Sequence, residues 1–190
     1  MPDLQAPPPP IITPRLTLVP STAPLAQAAI RDRQAFSALL GAHITHEWPP
    51  EVLADVEAFF AGKLAESPHL AGWFGWYGIA TDRSLVDQDT LVASVGSMPP
   101  DNSGIAMFGY SVLPAFERRG IGTEAATAFV SWLRAQPGVQ RLRADCFEGN
   151  VASIRIIQRC GLHTIGVSPD DATAPDSDRK GRGTLLRLEG

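Results

Sequence analysis

Residues 110–126, YSVLPAFERRGIGTEAA, hold the groups best suited to chemistry. A strand-like run breaks at Pro114, passes Arg118 and Arg119, and enters a helix pattern through Gly120-Ile121-Gly122. A helix start leaves backbone N–H groups without partners and carries the positive end of the helix dipole. Glycines there let the backbone come close to a ligand, because no Cβ intrudes. With two fixed positive charges beside it, such a turn forms a cradle for a pyrophosphate. The plain alternative is a tight strand-to-helix connection, the commoner use of Gly-x-Gly. No Lys-Ser or Lys-Thr follows Gly122, so the turn is not a P-loop. It is not a full dinucleotide fingerprint either, because Ala125 stands where the third glycine belongs and several strands precede the turn.

The charge distribution favours an anion at this point. From Arg118 to Arg159, seven arginines (118, 119, 134, 141, 143, 155, 159) oppose Glu124, Asp145 and Glu148, a net of +4 in a chain whose total is −4. Solvated faces account for most of these arginines, but the basic stretch contains the glycine turn. The acidic total argues against nucleic acid as a partner. A chain of 190 residues, 44% hydrophobic and 19% charged, is long enough and apolar enough for one globular domain with a sizeable core.

Two cysteines, Cys146 and Cys160, make no disulfide framework, so a reducing compartment is expected and both read as small buried apolar residues. The opening MPDLQAPPPP has neither a basic nor an apolar signal region. Residues 1–11 are therefore expected to be a flexible, Pro-rich extended tail, and 12–190 a single domain. No apolar run approaches the roughly 18 residues that span a bilayer. The reading is cytoplasmic, with no membrane partner.

The elements that must position the turn follow from periodicity. Residues 15–19 (RLTLV) alternate as a short strand, and 22–40 read as a helix. His43-Ile44-Thr45-His46-Glu47-Trp48 and Pro49-Pro50 form a loop. Residues 51–66 place Val52, Val56, Phe59, Phe60 and Leu64 on one helical stripe. Strands are predicted at 72–81 and 90–97, with a hairpin through MPPDNSG into 105–113. The helix after Gly122 shows Ala125, Ala128, Phe129 and Trp132 on one face and ends at Pro137-Gly138. A strand at 139–147 leads to Asn150, an N-cap for a helix at 151–160 with Gly161 behind it. Strands at 162–167 and 184–188 flank a polar loop at 169–182. The order is one mixed, mostly antiparallel sheet of about seven strands with helices on both faces, an α+β architecture.

Taken with SVLPAFERRGIGTEA, the run Asn150-Val-Ala-Ser153-Ile-Arg-Ile-Ile-Gln-Arg-Cys-Gly161-Leu162 resembles the GNAT superfamily of acyl-CoA N-acetyltransferases. TPRLTL and HEWPPE fit its ribosomal-protein N-terminal acetyltransferase branch, and the resemblance runs from about Ile12 to Leu188. It implies a sheet splayed in the middle, with pantetheine in the gap beside Ser111, Val112 and Leu113. It implies that backbone amides of Arg119, Gly120, Gly122 and Thr123, with Ile121 between them, hold the pyrophosphate of acetyl-CoA. Arg118 and Arg119 would flank it, and Asn150 would touch the pantetheine arm while also capping its helix.

The departures shape the expected chemistry. Glu117 stands where the family turn opens with Gln or Arg. Ile157 stands where many relatives carry a tyrosine as general acid, which leaves Ser153 as the substitute proton donor; its plain role is a first-turn helix residue. Met107 stands where relatives often carry a glutamate base. Val112 N–H would polarise the thioester carbonyl. The base candidates His43, His46, Glu47 and Glu148 all read equally well as surface residues. H-x-x-H-E is not the H-E-x-x-H zinc pattern, so no metal is expected. The expected activity is acetyl transfer to a primary amine on a small molecule or a protein N-terminus, by direct attack in a ternary complex. The acceptor is expected to enter between the 43–50 and 169–182 loops. A non-catalytic acyl-CoA sensor and a nucleotide-binding module are the competing readings. A homodimer is left open.

Overall fold

A computed structural model of the chain describes residues 6–170 and 183–190. They form two compact units, one of residues 6–97 with 110–129 and one of residues 98–109 with 130–170 and 183–190.

In the first unit four strands, β1 (Ile11–Ile12), β2 (Leu16–Pro20), β3 (Trp76–Ala80) and β4 (Thr90–Ser97), pair antiparallel in that order. β2 alternates buried Leu16, Leu18 and Pro20 with half-buried Thr17 and Val19, which is why it reads cleanly as a strand. All five residues of β3 are buried, so this strand is a continuous apolar run with no alternation to read. β1 adds a strand to the expected seven. Ile11 and Ile12 lie opposite Leu18 and Thr17, so the first strand starts one residue inside the expected tail. Three helices follow β2: α1 (Ala23–Arg31), α2 (Arg33–Leu40) and α3 (Glu51–Glu66).

The predicted single helix at 22–40 is two. Asp32 adopts an extended backbone (φ −152°), and its Oδ1 accepts from the N–H groups of Gln34 and Ala35 at 2.9 and 3.0 Å. An aspartate that caps a new helix outcompetes continuation of the old one. The apolar stripe expected on α3 is also shared between core and surface. Leu64 is fully buried, whereas Phe59 is 49% exposed with Lys63 stacked over its ring. Phe36, Leu40, Trp48, Tyr77, Ile79, Leu91 and Leu113 form the core of this unit, with Phe36 edge-on to Tyr77 at 4.9 Å.

Two elements pass from one unit to the other: β5 (Ile105–Val112) and α4 (Ile121–Arg134). The second unit adds β6 (Arg141–Phe147), α5 (Val151–Arg159), β7 (His163–Val167) and β8 (Leu185–Glu189). β5 pairs in parallel with β6 over Ile105–Met107 against Arg141–Arg143, three of its eight residues. β8 lies antiparallel between β6 and β7. The hairpin into β5 is closed by Met98 N–H on Met107 O (3.0 Å), and Asp101 Oδ1 accepts from Ser103 and Ile105. Gly104 there has φ +71°, and a Cβ would meet the Gln140 side chain at 2.7 Å. The fold is thus α+β with a mixed, mostly antiparallel sheet, eight strands among the described residues. On α4 the buried face is Ile121, Ala125, Phe129 and Leu133, with Ala126 and Val130 beside it; Ala128 and Trp132 are only half-buried.

Candidate active site

The turn ahead of α4 is built by backbone geometry. Leu113, fully buried, donates its N–H to Val92 O (2.8 Å) and fixes the end of β5. Pro114–Phe116 make one 3-10 turn. Arg118 then adopts φ +57°, a left-handed conformation that a non-glycine residue takes only under constraint, and Gly120 adopts φ +80°. Glu117, Arg118, Arg119 and Gly120 are exposed, while Ile121 and Gly122 are buried and Thr123 is half-buried. Glu117 is therefore solvated. The Arg119 guanidinium lies 5.7 Å from the Phe116 ring centroid. Glu124 N–H reaches Gly120 O (3.0 Å), closing the first turn of α4, so the N–H groups before it lie ahead of the helix's own acceptors. Ser111 and Val112 are half-buried at the end of β5.

Behind this turn is a network that sequence reasoning missed. Glu124 Oε1 accepts from Thr13 Oγ1 (2.6 Å) and Arg15 N–H (2.9 Å), and Oε2 accepts from Arg15 Nε and Nη2, each at 2.7 Å. Arg15 Nη1 donates to Arg119 O (2.8 Å). Burial pushes the Glu124 carboxyl up, but the bonds from Thr13 and Arg15 and the Arg15 charge outweigh it, so the carboxyl titrates below its ordinary range. The TPRL and GTEA segments each read as a local motif. Nothing local couples them across 109 residues.

A second unanticipated group in this unit is Glu57 on α3. Its Oε1 is buried without a hydrogen-bond partner, as are Trp48 Nε1 and Thr45 Oγ1. Burial pushes the Glu57 carboxyl up to about 7, against a smaller lowering by the Trp48 indole. Burial, then the Glu57 charge, push the Tyr77 phenol up, and Ser21 partly relieves it. The available signal was a charge inside the apolar spacing Leu53-Glu57-Phe60-Leu64. The base candidates in the 43–50 loop are surface side chains: His43, His46 and Glu47 are exposed. The backbone of His43 is held by Asp89 O (2.8 Å) and Leu91 N–H (2.9 Å), and Arg33 donates to the Thr45 and Trp48 carbonyls.

In the second unit Asn150 caps α5, its Oδ1 accepting from Ser153 N–H at 3.0 Å. Ser153 is half-buried, and its side chain bonds the Cys146 thiol. Burial pushes that thiol up and Ser153 lowers it less, so Cys146 stays protonated. Burial likewise holds Cys160 at about 11 despite Arg134. Ile157 is buried in the core, Met107 is 45% exposed, and Glu148 is exposed. Asp145 accepts from Ser168 Oγ (2.6 Å) and from Arg187 Nε and Nη2 (3.0 and 2.8 Å), pinning β8 to β6. Of the predicted 169–182 loop, residues 171–182 lie outside the described residues. Among the described residues no group of three His, Cys, Asp or Glu side chains is arranged to hold a metal, and no helix is long and apolar enough to cross a membrane.

The acetyltransferase (GNAT) domain family model matches residues 15–163. The chain is 26% identical over 152 residues to the "Uncharacterized N-acetyltransferase YjdG" of Bacillus subtilis strain 168, covering 79% of this chain and 87% of that protein. Two solved structures are similar in fold. RimL, described as a ribosomal L7/L12 alpha-N-protein acetyltransferase in complex with coenzyme A, aligns with a TM-score of 0.63 at 13% identity over 96% of this chain and 97% of its own. The ribosomal-protein-S5-alanine acetyltransferase from Vibrio fischeri aligns with a TM-score of 0.61 at 11% identity, over 96% of each chain.

The buried Glu57 makes a prediction about stability. Its carboxyl titrates near 7 when folded and near its ordinary 4.5 when unfolded. The folded state therefore binds the extra proton between those values, and stability falls as pH rises from about 4.5 through 7. Complete loss amounts to about 3 kcal/mol. Glu57→Gln should remove this slope and be the more stable protein at pH 8. Urea titrations at pH 5 and pH 8 decide it; parallel pH dependence in both proteins contradicts the assignment.

Proposed function

This chain belongs to the GNAT acetyltransferase family, and from that membership we propose that acetyl-CoA seats its pyrophosphate on the turn at 118–123. It is an acetyl-CoA-dependent N-acetyltransferase. The family and the N-acetyltransferase relative favour the enzyme over a non-catalytic sensor on the same fold. The family model spans parts of both units, which supports treating 12–190 as one acetyltransferase domain. Two free cysteines support a reducing, cytoplasmic site of action.

The observation that carries the proposed seat is the pair of left-handed residues, Arg118 and Gly120, directly before α4. Successive N–H groups bent into such a concavity, with the helix dipole behind them, suit a polyanion. The exposed Arg118 and Arg119 side chains supply charge on either side. The pantetheine arm then runs along Ser111, Val112 and Leu113, and Asn150 contacts it.

Transfer needs a neutral amine, a polarised thioester carbonyl and a proton for the leaving thiolate. The amine nitrogen attacks the carbonyl carbon, the new C–N bond forms, and the C–S bond breaks. Val112 N–H stabilises the oxyanion. Ser153 gives its hydroxyl proton to the thiolate sulfur and takes one from the acylated nitrogen, directly or through water. Ile157, buried in the core, has no proton to give.

The acceptor we favour is a low-pKa α-amine, on a peptide or an amino acid. With Met107 in the usual base position, the site is poorly equipped to deprotonate a strongly basic amine. A lysine-like amine of pKa near 10.4 is neutral in only about one molecule in 2,500 at pH 7. An α-amine of pKa roughly 7.7–8.0 is neutral in about one in six to ten. The ribosomal L7/L12 alpha-N-protein acetyltransferase among the similar folds supports the same choice.

Three measurements test this reading. Gly120→Val forces a β-branched residue into φ +80° and should weaken coenzyme A binding at least about tenfold; unchanged affinity by calorimetry sinks the seat. Ser153→Ala should lower kcat by about a hundredfold with little change in KM for acetyl-CoA. Full kcat across the pH range would assign the proton to another group. Of two peptides at pH 7, one with a free N-terminus and blocked lysine and the other reversed, the first should be acetylated faster; the opposite order excludes the α-amine.

A further inference from the structure

Arg15 stands at the edge of the proposed pyrophosphate seat without belonging to its glycine turn. Its backbone is locked on both sides: its N–H meets Glu124 Oε1 at 2.9 Å, and its carbonyl accepts from Thr81 N–H at 3.0 Å. Its guanidinium is shared between two partners. Nε and Nη2 grip Glu124 Oε2, and Nη1 reaches Arg119 O at 2.8 Å.

Each of these contacts bears on an anion. The C=O and N–H of one trans peptide point in opposite directions. A guanidinium that holds the Arg119 carbonyl therefore turns the Gly120 N–H the other way, away from Arg15. Without that hold, the Arg119–Gly120 peptide is free to rotate beside the left-handed Gly120, and its carbonyl oxygen then faces the ligand instead. The second contact concerns charge. Glu124 sits in the first turn of α4, where an unpaired carboxylate would repel a phosphate. Arg15 neutralises it through a side-on pair while Thr13 occupies its other oxygen.

We infer that Arg15 is a positioning residue for the acetyl donor: it aims the Gly120 N–H at the pyrophosphate and cancels the Glu124 charge behind it. The inference rests on the seat proposed above. It separates Arg15 from Arg118 and Arg119, whose exposed side chains contribute charge without fixing the backbone. Lysine cannot replace it, because one ammonium lacks the fork that spans a carboxylate and a carbonyl.

The test compares acetyl-CoA with acetyl-pantetheine, which lacks the pyrophosphate, using an α-amine peptide as acceptor and calorimetry of coenzyme A alongside. In Arg15→Met the ratio of kcat/KM for acetyl-CoA to that for acetyl-pantetheine should fall at least about tenfold, with coenzyme A affinity falling in step. Glu124→Gln, which keeps one carbonyl acceptor and sheds the negative charge, should hold or raise that ratio. If Arg15→Met does not fold, Arg15→Lys carries the test, with a smaller fall in the same ratio. Equal losses on both donors, or Arg15→Met and Glu124→Gln behaving alike, would make the pair a plain structural brace and overturn the inference. Wild-type protein that binds no coenzyme A would instead overturn the seat itself.

Discussion

Glu124 lies one turn into α4, and its carboxylate collects Thr13, the Arg15 backbone and the Arg15 side chain from a segment more than a hundred residues earlier. Through this one group the start of β2 is tied to the start of the helix. The carbonyl of Arg119 is tied as well, because the arginine that pairs with Glu124 also reaches it. A partly buried carboxylate so fully bonded stabilises the contact only while every partner stays in place. Arg118, the residue directly before that carbonyl's, is left-handed. Its conformation is unfavourable alone, and it persists where its surroundings over-determine it.

Other polar groups in the chain divide into those that hold and those that cost. Asp145 and Arg187 bond bidentately with Ser168 alongside, so β8 is fixed between β6 and β7 by a pair whose oxygens are occupied. Burial alone would raise the Asp145 carboxyl, but the bonds from Arg187 and Ser168 and nearby arginine charge bring it below its ordinary range. Glu57 is the opposite case. Its buried oxygen faces an indole N–H that does not reach hydrogen-bonding geometry, and its charge bears on the buried Tyr77 phenol. Such a group is kept at the expense of stability.

What the sequence disclosed was local. Alternation placed β2, turn residues placed the hairpin into β5, and Asn150 declared the start of α5 because capping is decided within three residues. The glycine turn was legible for the same reason: φ > 0 has a residue signature, at least at Gly120. The left-handed Arg118 has none. Asp32 was ambiguous, since a lone aspartate can ride on a helix face or cap a new one, and only the packing of α2 decides. β1 was hidden because two isoleucines after a proline run carry no period. Arg15 with Glu124, and Asp145 with Arg187, join residues 109 and 42 apart, which no window of a single sequence connects. Glu57 was visible as a charge within an apolar stripe, but its burial depends on how α3 rotates, and that stripe proved only half-buried.

In the proposed complex, backbone amides of the 118–123 turn meet the pyrophosphate of the acetyl donor. Backbone NMR of the full chain, titrated with coenzyme A and separately with pantetheine, reads those amides directly. Coenzyme A should shift the amide resonances of Arg119, Gly120, Gly122 and Thr123 downfield and slow their exchange with solvent, whereas pantetheine should leave them unmoved. Coenzyme A that binds while those four amides keep their shifts and exchange rates would contradict it.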